Sequence, residues 1–152
     1  MIFYRKATLD DIAKMQELVK EEIQNGIILP RSNDEVATNI RSYTLAVNND
    51  KIVGLSALHI HALDLAEIRS IVVDKSLRGQ GIGKKIVEML LDEGRNLGIK
   101  QVFTLTYQKE FFLKLLFKEI PKESLPTSKI WADCIRCKHF PICDEISLII
   151  EL

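Results

Sequence analysis

Several large protein classes are excluded by what this chain lacks. No apolar run approaches the ~20 residues that a membrane helix requires. Neither sign of charge is in excess, with 21 Lys and Arg against 21 Asp and Glu, so no global field draws in nucleic acid or an anionic membrane. Aromatic residues make up 7% of the chain and form no basic-aromatic stripe of the kind single-stranded nucleic acid needs. Met1-Ile2-Phe3-Tyr4-Arg5 runs straight into a strand-like segment and a polar helix, unlike a secretory signal. The expectation is a soluble, cytoplasmic protein. Cysteine is scarce and odd in number, three residues all within positions 134–143, which argues against a disulfide framework and for a metal or local role. Proline is scarce too: of four in the chain, Pro121, Pro126 and Pro141 fall in one stretch. There is no repeat, low-complexity tract or linker. At 152 residues the chain is one domain, 1–152, long enough to bury a core.

Hydrophobic periodicity gives the elements. Ile2–Arg5 reads as a first strand. Thr8 and Asp11 form a capping box before Ile12, Met15, Val19 and Ile23 at helical spacing, and Gly26 ends that helix. Ser32-Asn33-Asp34-Glu35 is a second box, opening a short helix with Val36 and Ile40 inward. Thr44–Val47, the turn Asn48-Asn49-Asp50 and Lys51–His61 read as a hairpin, and Leu65–Val73 as the next strand. A helix over 82–97 buries Ile82, Ile86, Met89, Leu90 and Leu97. Gln101–Tyr107 is a strand, Glu110–Phe117 a short helix, 121–145 an irregular segment holding the cysteines, and Ile146–Glu151 a closing strand. Hairpin strands followed by an α-crossover predict an α/β fold of α+β type: a mixed, mostly antiparallel sheet with helices on both faces.

The most informative stretch is Arg78-Gly79-Gln80-Gly81-Ile82-Gly83. It lies between an apolar strand and an amphipathic helix, where unpaired backbone N–H groups and the helix dipole favour an anion. Glycine permits close approach of a phosphate and positive φ. The spacing is not a P-loop, and Lys84 and Ile86 stand where a dinucleotide fingerprint would need glycine. A basic residue, two spacers and Gly-x-Gly resemble the pyrophosphate loop of the GCN5-related N-acetyltransferases, which binds acetyl-CoA. The resemblance implies that acetyl-CoA is the co-substrate, held by Arg78, Gly79, Gln80, Gly81, Ile82, Gly83 and Lys84 and by the strand residues Ile71, Val72 and Val73. In that family the fourth and fifth strands splay apart around the acyl-pantetheine arm; here these would be Leu65–Val73 and Gln101–Tyr107.

Further strings narrow the resemblance. Leu29-Pro30-Arg31-Ser32, Ala57-Leu58-His59, Asp64 to Ser70, Val102 to Tyr107 with Phe111-Phe112, and Lys129 to Glu145 are similar to the short bacterial N-acetylglutamate synthases. Those enzymes start arginine biosynthesis by acetylating the α-amine of L-glutamate. Direct attack needs a neutral amine, so a general base near the nitrogen, directly or through one water, is useful, and Glu67 is the candidate. Two substrate carboxylates call for fixed cations, for which Arg31 and Arg69 are suited by bidentate geometry; Ser32 could donate from the helix start, and Lys129 is a further carboxylate contact. Glu67 and Arg69 share one side of a strand, roughly 7 Å apart. The competing reading is a solvent-facing charge pair. Arg31 by default would be a surface arginine. Backbone N–H near Ile71 could polarise the thioester. Many relatives carry a tyrosine acid where this chain has Phe112, and a glycine where it has Leu116; Tyr107 or water could protonate the thiolate instead.

Cys134, Cys137, His139 and Cys143 have the residue types of a tetrahedral zinc site; buried thiols and a thiol switch are the alternatives. His59 and His61 alternate with apolar residues, which fits partner-satisfied or edge positions better than catalytic ones. The rivals to glutamate acetylation are another amine acceptor, a non-turnover acetyl-CoA-binding module and a nucleic-acid-binding tail. The sequence also allows a homodimer.

Overall fold

The computed structural model describes residues 1–126 and 145–152. In chain order these are β1 (Ile2–Lys6), α1 (Ile12–Gln24), α2 (Asn33–Thr38), β2 (Tyr43–Asn48), β3 (Lys51–Ala62), β4 (Leu65–Val73), α3 (Ile82–Leu97), β5 (Gln101–Thr106), α4 (Lys109–Lys114), β6 (Lys118–Ile120) and β7 (Ile146–Glu151). The strands form one seven-stranded sheet in the order β1-β2-β3-β4-β5-β7-β6. Every pair is antiparallel except β4–β5, because α3 carries the chain back across the sheet between those two strands. This is the mixed, mostly antiparallel α+β sheet that the sequence predicts.

The pleat sorts the core into two layers. Ala46, Val53, Leu58, Ala66, Ile68 and Val102 pack with Ile82, Ile86, Leu90 and Leu91 of α3 and with Phe112 and Phe117. Their sequence neighbours Leu45, Val47, Ile52, Leu55 and Ala57 pack instead with Met15 and Val19 of α1 and Val36 of α2. Alternation at period two puts these sets on opposite faces, so helices cover both. α3 sits closest at Gly54, where a Cβ would lie 3.0 Å from Ile86 Cδ1 and 3.2 Å from Ile82 Cγ2.

Both capping residues do the work expected of them. Asp11 accepts from Thr8 N–H at 2.7 Å and takes Arg5 in a bidentate pair, 2.8 Å on each oxygen. Ser32 Oγ accepts from Glu35 N–H at 3.1 Å. Three details differ from expectation. Leu97 is 57% exposed: the last turn of α3 leaves the core, and Ile99 beyond Gly98 takes the buried place. The last helix stops at Lys114 rather than Phe117, because Leu116 turns through φ +73°. An extra strand, β6, then pairs with β7 at the sheet edge, too short for a pattern.

Leu116 explains its own oddity. Phe117 N–H bonds Phe112 O at 3.1 Å, Leu116 N–H bonds Leu113 O at 3.0 Å, and the rings of Phe112 and Phe117 meet at 5.1 Å. That is a Schellman ending with its apolar clasp, in which glycine is the usual residue at the left-handed position. A leucine holds it here under strain. Phe112 is wholly buried in the core and has no proton to give.

Candidate active site

The site is built where β4 parts from β5. The parallel ladder has only three register pairs, Leu65–Gln101, Ala66–Val102 and Glu67–Phe103, although β4 continues to Val73 and β5 to Thr106. Just past the last pair, Thr104 Oγ1 donates to Ile68 O at 2.9 Å, closing the base of the fork. The splay implied by the resemblance is therefore present, and Glu67 stands at its apex.

Glu67 is only 1% exposed and Arg69 is buried as well, which removes the reading of these two as a solvent-facing pair. His61 Nε2 lies 2.9 Å from Glu67 Oε1, with both side chains buried. A local irregularity places that imidazole: β3 carries His61 between the Ile60–Ala66 and Ala62–Leu65 pairs with no counterpart on β4. The ring also meets His59 edge-on, centroids 4.8 Å apart, and lies 5.2 Å from Phe103.

Farther along β4 the ladder is irregular again. Between Arg69–Ala57 and Val72–Leu55, two residues of β4, Ser70 and Ile71, oppose the single Ser56. This is a β-bulge, a device that re-aims backbone groups. Ser70 adopts φ +61°, uncommon for a residue with a Cβ, and Ser56 Oγ anchors the turn by donating to Arg69 O at 3.0 Å. Ile71 follows directly, so its N–H belongs to the irregular part of the strand.

The glycine loop follows. Gly79 and Gly81 both have φ +83°, and a Cβ on either would meet no atom within 4 Å. The space before them is open, and side chains are excluded by backbone conformation rather than by crowding. Ile82, Gly83 and Lys84 open α3, whose first-turn N–H groups have no carbonyl inside the helix. A Cβ on Gly83 would touch the Phe111 ring at 3.4 Å. Arg78 donates from Nε to Val73 O at 3.2 Å and pairs with Glu22 of α1 at 3.4 Å. An open groove of about 890 Å³ runs beside the loop, lined by Leu18, Glu21, Ile52, Val72, Val73 and Arg78 among others. Glu21–Lys75 and Lys51–Asp74 ion pairs border it. Hydrogen bonds from the hydroxyl and N–H of Ser76, aided by Lys51, pull the Asp74 carboxyl down to about 2.

Of the acceptor candidates, Arg31 is no surface arginine: its side chain is 8% exposed and lies 3.9 Å from Glu35. It lines a cavity of about 20 Å³ with Tyr43, Leu55 and Ser70, so the segment before α2 is brought up to β4. Ser32 is engaged as helix cap. Tyr107 lies one residue past β5, with its hydroxyl buried. Lys129, Cys134, Cys137, His139 and Cys143 lie outside the described residues, and among the described residues no group of three or more His, Cys, Asp or Glu could hold a metal. No helix among the described residues is long and apolar enough to cross a membrane. The His59-x-His61 alternation fitted partner-satisfied positions, and His61 fills one; that its partner is Glu67, and the bulge that aims it, could not be read from the sequence.

The acetyltransferase (GNAT) family model matches residues 10–115. The chain belongs to that family. An uncharacterized N-acetyltransferase of Chlorobaculum tepidum is 34% identical over 95% of this chain and 93% of its own length. A Mycobacterium tuberculosis amino-acid acetyltransferase is 32% identical over 95% of this chain and 83% of its own. Among solved structures, a Mycobacterium tuberculosis protein in complex with CoA superposes with a TM-score of 0.83 at 28% identity, covering 99% of both chains. An N-acetylglutamate synthase from Neisseria gonorrhoeae, complexed with coenzyme A and N-acetyl-glutamate, shares the fold with a TM-score of 0.88 at 23% identity. It covers 100% of this chain, which spans only 35% of that longer protein. This GNAT chain is thus an acyltransferase, with the family's fork and glycine loop both in place.

Proposed function

We propose that this GNAT enzyme transfers the acetyl group of acetyl-CoA to the α-amine of L-glutamate, the reaction that starts arginine biosynthesis. The observation that carries the reading is the burial of Glu67 at the apex of the β4–β5 fork, two residues before buried Arg69 on the same side of the strand. The Mycobacterium tuberculosis protein named an amino-acid acetyltransferase, 32% identical, supports an amino-acid acceptor, and the CoA-bound structure at 28% identity supports acetyl-CoA as the donor.

In this mechanism the pyrophosphate rests on the N–H groups of Gly79–Lys84 at the start of α3, flanked by Arg78, and the pantetheine arm follows Ile71–Val73 into the fork. Arg69 and Arg31 hold the carboxylates of glutamate, with Ser32 and Lys129 as further contacts. Glu67 takes a proton from the α-ammonium, directly or through one water. The freed lone pair attacks the thioester carbonyl, and the oxyanion is met by backbone N–H at the bulge near Ile71. As the tetrahedral intermediate collapses, the nitrogen gives its remaining extra proton to water and CoA leaves as a thiolate, which is protonated by Tyr107 or by water. Phe112 takes no part.

The test is initial-rate CoA release with L-glutamate for the wild type, Glu67→Gln and Arg69→Met. Loss of a general base is expected to lower kcat by about 10²–10⁴-fold with the KM for acetyl-CoA unchanged. Arg69→Met is expected to raise the KM for glutamate selectively. Full turnover by Glu67→Gln, or an unchanged glutamate KM in Arg69→Met, would remove the corresponding role.

A further inference from the structure

We propose that His61 is a positioning residue for Glu67, so that the base is a Glu67–His61 pair rather than a lone carboxylate. This rests on the reading of Glu67 as the base. A carboxylate this deeply buried must be met by hydrogen bonds or a partner. His61 Nε2, 2.9 Å from Oε1, is at the distance of a charge-assisted bond. Without the extra residue, the β3 ladder would continue regularly past Ile60, and the register partner of Glu67 is His59, not His61. The ring is then fixed from two directions, by the edge contact with His59 and by Phe103, which is itself the β5 partner of Glu67 at the fork. Residues of β3 and β5 therefore hold the ring that meets the Glu67 carboxylate.

The chemistry follows from that geometry. In the reacting complex an N–H bond of the α-ammonium breaks and an O–H bond forms on Glu67, while the electron pair stays on nitrogen for the attack. A donor on Oε1 sets the plane of the carboxylate before this step and favours its charged, waiting form. Among the described residues, the charged and titratable side chains on this part of the sheet are His59 and His61 of β3 and Glu67 and Arg69 of β4, with Tyr107 one residue past β5.

The experiment compares His61→Phe, which keeps a ring for packing, with His61→Gln, which keeps an N–H donor, each alone and in the Glu67→Gln background. Melting temperature and acetyl-CoA binding check the fold. With L-glutamate and acetyl-CoA, His61→Phe is expected to lower kcat about 10–100-fold at unchanged KM for acetyl-CoA. The acid limb of its kcat/KM profile should move to higher pH, because the charged form of Glu67 has lost a donor. His61→Gln should recover part of the rate, and His61→Phe should cost nothing further once Glu67 is Gln. An unmoved pH profile or an equal loss in the Glu67→Gln background would overturn the pair and leave His61 a packing residue. A fully active Glu67→Gln enzyme would sink the base itself, a failure distinguishable because it appears with His61 intact.

Discussion

Replacing Gly54 by valine should disturb both the core and the glycine loop, and the structure sets the size of the effect. Gly54 lies on β3 under α3, where a built Cβ falls 3.0 Å from Ile86 Cδ1, 3.2 Å from Ile82 Cγ2 and 3.4 Å from Ala46 Cβ. Ordinary carbon contacts need about 3.5–4.0 Å, so even the first carbon is crowded, and valine adds two more. Ile82 and Ile86 are themselves buried and have little room to yield. Overpacking of this kind costs about 1–3 kcal/mol. For a domain of this length that is a fall in Tm of roughly 2–10 °C. α3 must lift to relieve the clash, and its first turn carries Ile82 and Gly83, the end of the glycine loop on which the proposed mechanism seats the pyrophosphate. The KM for acetyl-CoA should therefore rise in the same variant, with the KM for the amine less affected. Thermal melts and initial rates at varied acetyl-CoA check both. An unchanged Tm with unchanged KM would show that α3 does not rest on Gly54 as described.

Other perturbations follow from particular residues. Gly81→Ala meets no clash but forces an L-residue into φ +83°, about 1–2 kcal/mol of strain; acetyl-CoA KM should rise roughly 5–30-fold with kcat nearly unchanged, as saturation kinetics would read. Leu116→Gly relieves the left-handed strain at the end of α4 and should raise stability by about 1 kcal/mol in urea melts. Asp11 is held well below the usual carboxylate range, first by the Arg5 hydrogen bonds and then by Thr8. A depressed folded value means the stability it supplies is whole above about pH 4 and drains away as pH falls below that. Asp11→Asn should therefore lose about 1–2 kcal/mol at neutral pH, a modest figure because Arg5 is 38% exposed and screened. The gap to wild type should close in acid, which urea melts at several pH values would show.

Much of the fold was legible because local signals agreed. The span of α3, its glycine loop and its Gly98 stop all follow from strong local chemistry, and both capping boxes announced their helices. What was hidden depends on long-range register. The parting of β4 from β5 after Glu67 leaves no mark in either strand's sequence, and the two bulges, at His61 and at Ser70–Ile71, are relations between strands. Burial of Arg31 could not be read from Leu29-Pro30-Arg31-Ser32, since it arises where that segment meets Tyr43 and Ser70. Leu116 defied the rule for helix ends because a leucine fills the position that the rule gives to glycine.

The central claim, the acceptor, is tested most directly by competition. The enzyme is given acetyl-CoA labelled in the acetyl group and an equimolar pool of amino acids and polyamines, and the labelled product is identified by mass. Label in N-acetylglutamate alone, at a rate matching CoA release, is the expected result. Label on a different amine, with glutamate untouched, would contradict the assignment while leaving the fork and the glycine loop as they are.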